Sequence, residues 1–306
     1  MLDVVTIGAA TIDIFAKSEQ FIVDGKLLSL KYSSKNEISQ SLICSGGGAT
    51  NSAVSFSRLG LKSACLSLIG DDYLSKYIID DLKKESVATN LLIKNKNDTT
   101  DFSIVLVASD GSRSILVNRG LTRLKEKYLN WNKIPKTKWF YITSLEGNLD
   151  LLEKLIGFAK ENNIKIALNP GNREFSQGKK LLPLLKLVDF LLLNKTESEI
   201  LTDLALDDKN FWTRLISFSK AIISVTNGRN GAFVLVDDNH FFSPIVKVKP
   251  VDETGAGDSF GSTFVSALIY GNSPEEALFW AIKNSASVVS ALGAKTKLLT
   301  LSKIRK

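Results

Sequence analysis

Strand-like and helix-like segments alternate over most of this 306-residue chain. Short apolar runs at residues 3–7, 63–69, 139–145, 164–169, 188–194 and 221–226 read as buried strands. Helical apolar spacing fills several of the gaps, at about 72–85, 149–162 and 196–204. Parallel strands cannot be joined by a tight turn, and each helical crossover covers a face of the sheet. The pattern therefore predicts an α/β fold with a mostly parallel sheet covered on both faces. Two β-rich stretches, about 12–43 and 96–118, break the alternation and predict a small separate sheet. The second contains Ser109-Asp110-Gly111-Ser112, a hairpin signature. No repeat or low-complexity linker divides the chain, so residues 1–306 read as one domain.

Near the C-terminus, Gly255-Ala256-Gly257-Asp258 opens a helix marked by Phe260, Phe264, Val265 and Leu268. Small residues at a helix start leave backbone N–H groups uncovered, and the helix dipole favours an anion there. Asp258 places a proton acceptor beside that anion. An anion cradle with an adjacent base is what phosphoryl transfer to a hydroxyl requires. The plain alternative is a glycine-rich loop capped by Asp. A second glycine run, Gly46-Gly47-Gly48, enters another helix and is followed by Asn51, which offers both donor and acceptor to a hydroxyl.

Composition narrows the function class. The net charge of +7 comes from scattered basic residues without the aromatic interleaving of a nucleic-acid surface. The single histidine, His240, excludes a histidine-cluster metal site and disfavours a Ser-His-Asp triad. Cys44 and Cys65 sit in apolar contexts and read as reduced thiols, which predicts a reducing, cytoplasmic location. No stretch is long and apolar enough to span a membrane, so neither a membrane nor a nucleic acid is expected as partner.

Ligands of open α/β sheets bind beyond the carboxyl ends of the strands. Asn194-Lys195-Thr196-Glu197, the 226–231 stretch and the 252–258 stretch each follow a predicted strand. No Walker-type P-loop and no dinucleotide fingerprint is present.

With these residues laid out, the chain resembles the ribokinase-like (PfkB-type) carbohydrate kinases along nearly its whole length. Asp252-Glu253-Thr254-Gly255-Ala256-Gly257-Asp258 is similar to one family signature, and Gly46-Gly47-Gly48-Ala49-Thr50-Asn51 to the other. The resemblance implies a three-layer α/β/α sandwich with a β-sheet lid, placed at about 12–43 and 96–118. It implies Asp258 as catalytic base, with Gly255, Ala256 and Gly257 as an anion hole. Asp13, Gly46, Gly47, Gly48 and Asn51 would hold the sugar. Asn194 and Glu197 match an Asn-x-x-Glu motif tied to Mg²⁺ and phosphate placement. Thr226, Asn227, Gly228 and Gly231 would line ATP, and Asn284 would approach its adenine. Asp252 matches a monovalent-cation position of potassium-stimulated members.

Glu146 is similar to a sugar-contacting Glu of ribokinases, or else a solvated residue after a strand. Arg119 reads either as a binder of a substrate phosphate or carboxylate or as a lid-surface charge. Ribokinases usually carry Lys or a similar residue in the glycine motif where this chain has Gly48, a departure that bears on ribose as acceptor. The expected activity is ATP- and Mg²⁺-dependent phosphorylation of a sugar hydroxyl. A nucleoside kinase and a phosphosugar or sugar-acid kinase are the alternatives, and a catalytically silent sugar or nucleotide sensor is the one outside enzymes. Exposed lid edges would favour a homodimer.

Overall fold

A computed structural model describes residues 1–120 and 123–306. Strands β1 (Leu2–Ile7) and β2 (Thr11–Lys17) come first, then a small hairpin of β3 (Ile22–Asp24) and β4 (Leu27–Ser29). β5 (Gln40–Gly46) runs straight into helix α1 (Gly48–Arg58). β6 (Ser63–Gly70), α2 (Tyr73–Lys84), β7 (Leu92–Asn95), β8 (Phe102–Val107) and β9 (Arg113–Asn118) follow. β10 (Thr137–Ile142), α3 (Leu149–Glu161), β11 (Lys165–Leu168) and the short α4 (Asn172–Phe175) and α5 (Leu182–Leu185) come next. β12 (Phe190–Asn194) then leads into α6 (Lys195–Thr202) and α7 (Phe211–Ile216). β13 (Ile222–Thr226), β14 (Ala232–Val236) and β15 (Asn239–Ser243) precede α8 (Ala256–Ile269), α9 (Pro274–Val289) and α10 (Leu301–Ile304).

Among the described residues the main sheet runs β15-β14-β13-β12-β11-β10-β1-β6-β7. It is parallel from β13 to β7, and β14 and β15 extend it antiparallel. All of β6 is buried, as expected of a parallel strand covered on both faces. On one face Leu155 of α3, Leu185 of α5 and Phe211 of α7 pack on Val5, Ile142 and Ile166. On the other, Phe56 of α1 and Phe264 of α8 pack on Tyr141 and Leu192, and Phe264 stacks on Phe190 with ring centroids 4.6 Å apart. The chain leaves β1 towards β6 on one side and is completed by β10 on the other. That reversal of strand order opens a crevice at the carboxyl ends of β1 and β10.

The second sheet, β5-β2-β8-β9, forms a lid from the two stretches that broke the alternation. Its register sets Asp13 opposite both Cys44 and Ser103. Phe15, Val105 and Val107 of the lid form a cluster with Leu292, from the loop after α9. The sequence suggests frayed residues at 303–306; instead Ile304 is buried among the helices of the second face and closes α10.

Helix α8 lies close to the sheet because residue 261 is glycine. A Cβ there would meet the Tyr141 hydroxyl and come within 2.8 Å of Leu192 Cδ2. Gly261→Ala should therefore lower stability by roughly 1–3 kcal/mol through overpacking. Urea unfolding checks this: the midpoint should fall while the slope stays constant.

Candidate active site

The first turn of α8 carries the central carboxylate. Gly255 precedes the helix in a left-handed conformation, φ 76°. A Cβ there would lie 2.8 Å from Ala294 Cα, so the glycine allows the 251–255 and 292–295 loops to touch. Ala256 and Gly257 then begin the helix, and Asp258 is its acidic first-turn residue. Asn51, in the first turn of α1, donates from Nδ2 to Asp258 Oδ2 at 2.8 Å, joining residues 207 positions apart. Burial pushes the Asp258 pKa up, the Asn51 bond and the positive charge of Lys295 pull it down, and Asp13 raises it again.

The glycine run lies beside this pair. A Cβ on Gly46 would strike the Asp13 carboxylate, one on Gly47 would lie 2.5 Å from the Ala9 carbonyl, and one on Gly48 would lie 2.8 Å from Thr143 Oγ1. Asp13 Oδ1 accepts from Ser103 Oγ at 2.6 Å, and burial pushes its pKa up. A cavity of about 220 Å³ is lined by Gly47, Ser103, Arg119, Arg123 and Glu146, beneath the lid. Glu146 is clamped between Arg119 and Arg173, the latter at 2.9 Å.

Asp258 itself lines a second cavity, of about 350 Å³, with Gly48, Asn194, Glu197, Thr226 and Gly257. A third, of about 830 Å³, shares Asn194, Thr226 and Gly257 with it, and adds Asn227, Gly228, Gly231 and Ala256. The three share lining residues and form a continuous cleft: the lid side, then Asp258, then a larger space ringed by Lys195, Arg229 and Arg113.

Asn194 and Glu197 cap α6 reciprocally. Glu197 N donates to Asn194 Oδ1 at 2.9 Å, and Asn194 N donates to Glu197 Oε2 at 2.8 Å. Burial raises the Glu197 pKa. A capping carboxylate that also borders the Asp258 cavity, beside an exposed amide, fits a magnesium ion held through water.

One sequence-based expectation fails on geometry. Asn284 does not face the cleft. It is fully buried, donating to Thr263 Oγ1 at 2.7 Å and accepting from Leu299 N at 2.8 Å. Its neighbours Ser285 and Ala286 line the large cavity instead. Asp252 is buried, with hydrogen-bond donors on both carboxylate oxygens. Oδ1 accepts from Thr254 N at 3.0 Å, Thr254 Oγ1 at 2.7 Å and Arg113 Nη1 at 3.4 Å, and Oδ2 accepts from Gly293 N at 3.0 Å.

The structure also brings in residues that the sequence reading passed over. Glu174 is 1% exposed and organises the loop bearing Glu146. Oε1 accepts from Leu145 N at 2.7 Å and Gly147 N at 2.9 Å, and Oε2 accepts from Gly171 N at 2.9 Å and Ser144 Oγ at 2.9 Å. Its local signal is a Glu three residues after Gly171, at the N3 position of α4. Ser103, Arg113 and Lys295 lack any such local signal.

A family model described as pfkB family carbohydrate kinase matches residues 1–301. The chain belongs to the pfkB family of carbohydrate kinases. The kinase is 30% identical over 267 residues to a ribokinase of Haemophilus influenzae, covering 84% of this chain and 85% of that one. It is 26% identical over 307 residues to a deoxyribokinase of Salmonella typhi, covering 96% and 95%. A solved structure of a putative ribokinase II from E. coli, in complex with ATP and Mg²⁺, superposes with a TM-score of 0.84 at 19% identity, covering 100% and 98%. The fold is that of the ribokinases, a three-layer α/β/α sandwich with a separate small sheet.

Three carboxylates of the kinase, those of Asp13, Asp258 and Glu197, have raised pKa values. A carboxyl whose folded pKa exceeds its unfolded value of about 3.9 for Asp opposes folding once pH passes that window. Asp258→Asn removes one such group while keeping an acceptor for Asn51. Its melting temperature should exceed that of the native chain at pH 7, and the difference should shrink towards pH 4. Scanning calorimetry at the two pH values checks this.

Proposed function

We propose that the kinase transfers the γ-phosphoryl group of ATP to a hydroxyl of a sugar, with Asp258 as general base. The observation that carries this reading is the Asn51–Asp258 pair, at the junction between the lid-side cavity and the larger basic one. An acceptor held by Asp13, Asn51 and the 46–48 glycines would present its hydroxyl to Asp258. Its proton passes to the carboxylate as the oxygen attacks the γ-phosphorus in line and the bond to the β-phosphate oxygen breaks. The N–H groups of Gly255 and Gly257 would stabilise the charge that develops on the transferring group, whereas that of Ala256 donates to the Glu253 carbonyl at 3.2 Å. ATP would lie along Thr226, Asn227, Gly228 and Gly231, with its base near Ser285 and Ala286. Asn194 and Glu197 would hold the hydration shell of Mg²⁺. The ion neutralises phosphate charge when bound.

A neutral sugar is the favoured acceptor, because Arg119 on the cavity wall is already paired with Glu146. Arg123 on the same cavity supports a second reading, an acceptor that carries a phosphate or carboxylate. Two free cysteines support the cytoplasm as location. The lid supports a homodimer. Every residue of β9 is exposed, Ile115, Leu116 and Val117 among them, as is Ile43 of β5. Light scattering should give twice the mass of the chain; a monomer at working concentration would refute the lid interface.

Asp258→Asn should reduce turnover by roughly 10²–10⁴-fold, the usual contribution of a general base, while ATP binding persists. ADP release on a panel of sugars, sugar acids, phosphosugars and nucleosides, with calorimetric ATP binding alongside, makes the measurement. Native turnover in the variant would overturn the assignment of Asp258 as base. Absence of turnover by the native chain on every acceptor, with ATP bound, would favour a sensor.

A further inference from the structure

Lys295 is a buried cation outside the motifs that carry the reaction. The residue is only 7% exposed. Its Nζ donates to the Ser45 carbonyl at 2.8 Å, to Ser45 Oγ and to Thr50 Oγ1 at 3.1 Å, and lies 3.5 Å from Asp81 Oδ2. Ser45 Oγ in turn donates to Asp81. These partners come from three elements: lid strand β5, helix α1 and helix α2. A buried ammonium with that many acceptors is a built site, since an unpaired one would be expelled or neutralised.

Its partners lead to both active-site carboxylates. Ser45 precedes Gly46, the glycine that lies against the Asp13 carboxylate. Thr50 Oγ1 also donates to the Gly46 carbonyl at 2.6 Å, and Thr50 precedes Asn51, the partner of Asp258. The loop that carries Lys295 is fixed independently. Arg58 Nη1 donates to the Lys295 carbonyl at 2.7 Å while Arg58 grips Glu85 through Nε at 2.8 Å and Nη2 at 2.6 Å.

We propose that Lys295 is a positioning residue for phosphoryl transfer. Its ammonium pins the 45–48 loop under the acceptor and holds a fixed positive charge behind Asp13 and Asp258. The inference rests on Asp258 being the base. Asp258 is faced by Asp13 of the lid, Lys295 of the 292–295 loop and the Tyr141 hydroxyl of β10. Lys295 is faced by Asp81, Asp13, Cys44 and Cys65. Burial lowers the Lys295 pKa, and Asp81 raises it again. Lys295 therefore opposes the burial and the neighbouring Asp13 that raise the Asp258 pKa.

Lys295→Gln keeps hydrogen bonding and removes the charge; Lys295→Arg keeps the charge and cannot reproduce the compact set of acceptors. The pH dependence of kcat/KM and the acceptor KM are measured for both, with melting temperature and ATP binding as controls. In Lys295→Gln the acid limb should move up by on the order of one pH unit, because the positive charge that lowers the Asp258 pKa is gone. Lys295→Arg should keep the native acid limb but raise the acceptor KM. A folded Lys295→Gln with native acid limb and native KM overturns the inference. If Lys295→Gln does not fold, Lys295→Arg decides: a displaced limb with unchanged KM is the contrary result. Asp258→Asn in the same assay separates the two readings. Turnover there would remove Asp258 as base, whereas loss of turnover beside an unmoved Lys295→Gln limb removes Lys295 alone.

Discussion

The site depends on a backbone contact with no side chain on one side. Gly255 presses against Ala294, and any Cβ at 255 would force the two loops apart. That contact brings Gly293 N to Asp252 and sets the N-terminus of α8 in line with the cleft. It also places Leu292 where the lid strands bury it, and Lys295 where it reaches Ser45. One four-residue turn thus touches the start of α8, the lid and the glycine run. A displacement there would be felt by all three, because packed interiors transmit strain instead of absorbing it.

The electrostatics oppose stability and favour chemistry. Asp13, Asp258 and Glu197 are all buried carboxyls whose environments disfavour the charged form, with too few cations to compensate them fully. A base with a raised pKa accepts a proton more readily, so in the proposed role of Asp258 the burial that opposes folding would favour proton transfer. Arg113 adds to this balance from the lid. It reaches Asp252 from β9 and borders the large cavity, so the lid contributes positive charge to the cleft.

Much of this was legible in the sequence because the relevant signals are local. The parallel sheet follows from strand and helix periodicities, and the lid from two stretches that break them. The cradle at 255–258 and the glycine run at 46–48 are contiguous, so their backbone requirements are written in adjacent residues. The misread positions are those whose meaning is set by distant partners. Asn284 sits on a helix bordering the cleft, but its amide turns inward to Thr263 and Leu299, and only packing decides which way it points. Lys295 looks like one more lysine in a basic chain. It becomes a buried cation only because Ser45, Thr50 and Asp81 converge on it from 214 or more positions away. Glu174 occupies a common cap position, and its role comes from a loop that starts 30 residues earlier.

In the proposed reading, acceptor choice and chemistry are built on different parts of the fold. The chemical groups stand on first turns of α1 and α8, where helix geometry fixes them and buried packing leaves little freedom. The groups that line the lid-side cavity stand elsewhere: Ser103, Arg119 and Arg123 belong to the lid and its continuation, and Glu146 belongs to a loop that the Glu174 carboxylate anchors. Loops and lid strands tolerate substitution better than helix termini packed on a sheet. Such a division lets the acceptor change while the phosphoryl-transfer apparatus stays fixed. It is also why the cradle and base can be read from this chain more readily than the sugar they act upon.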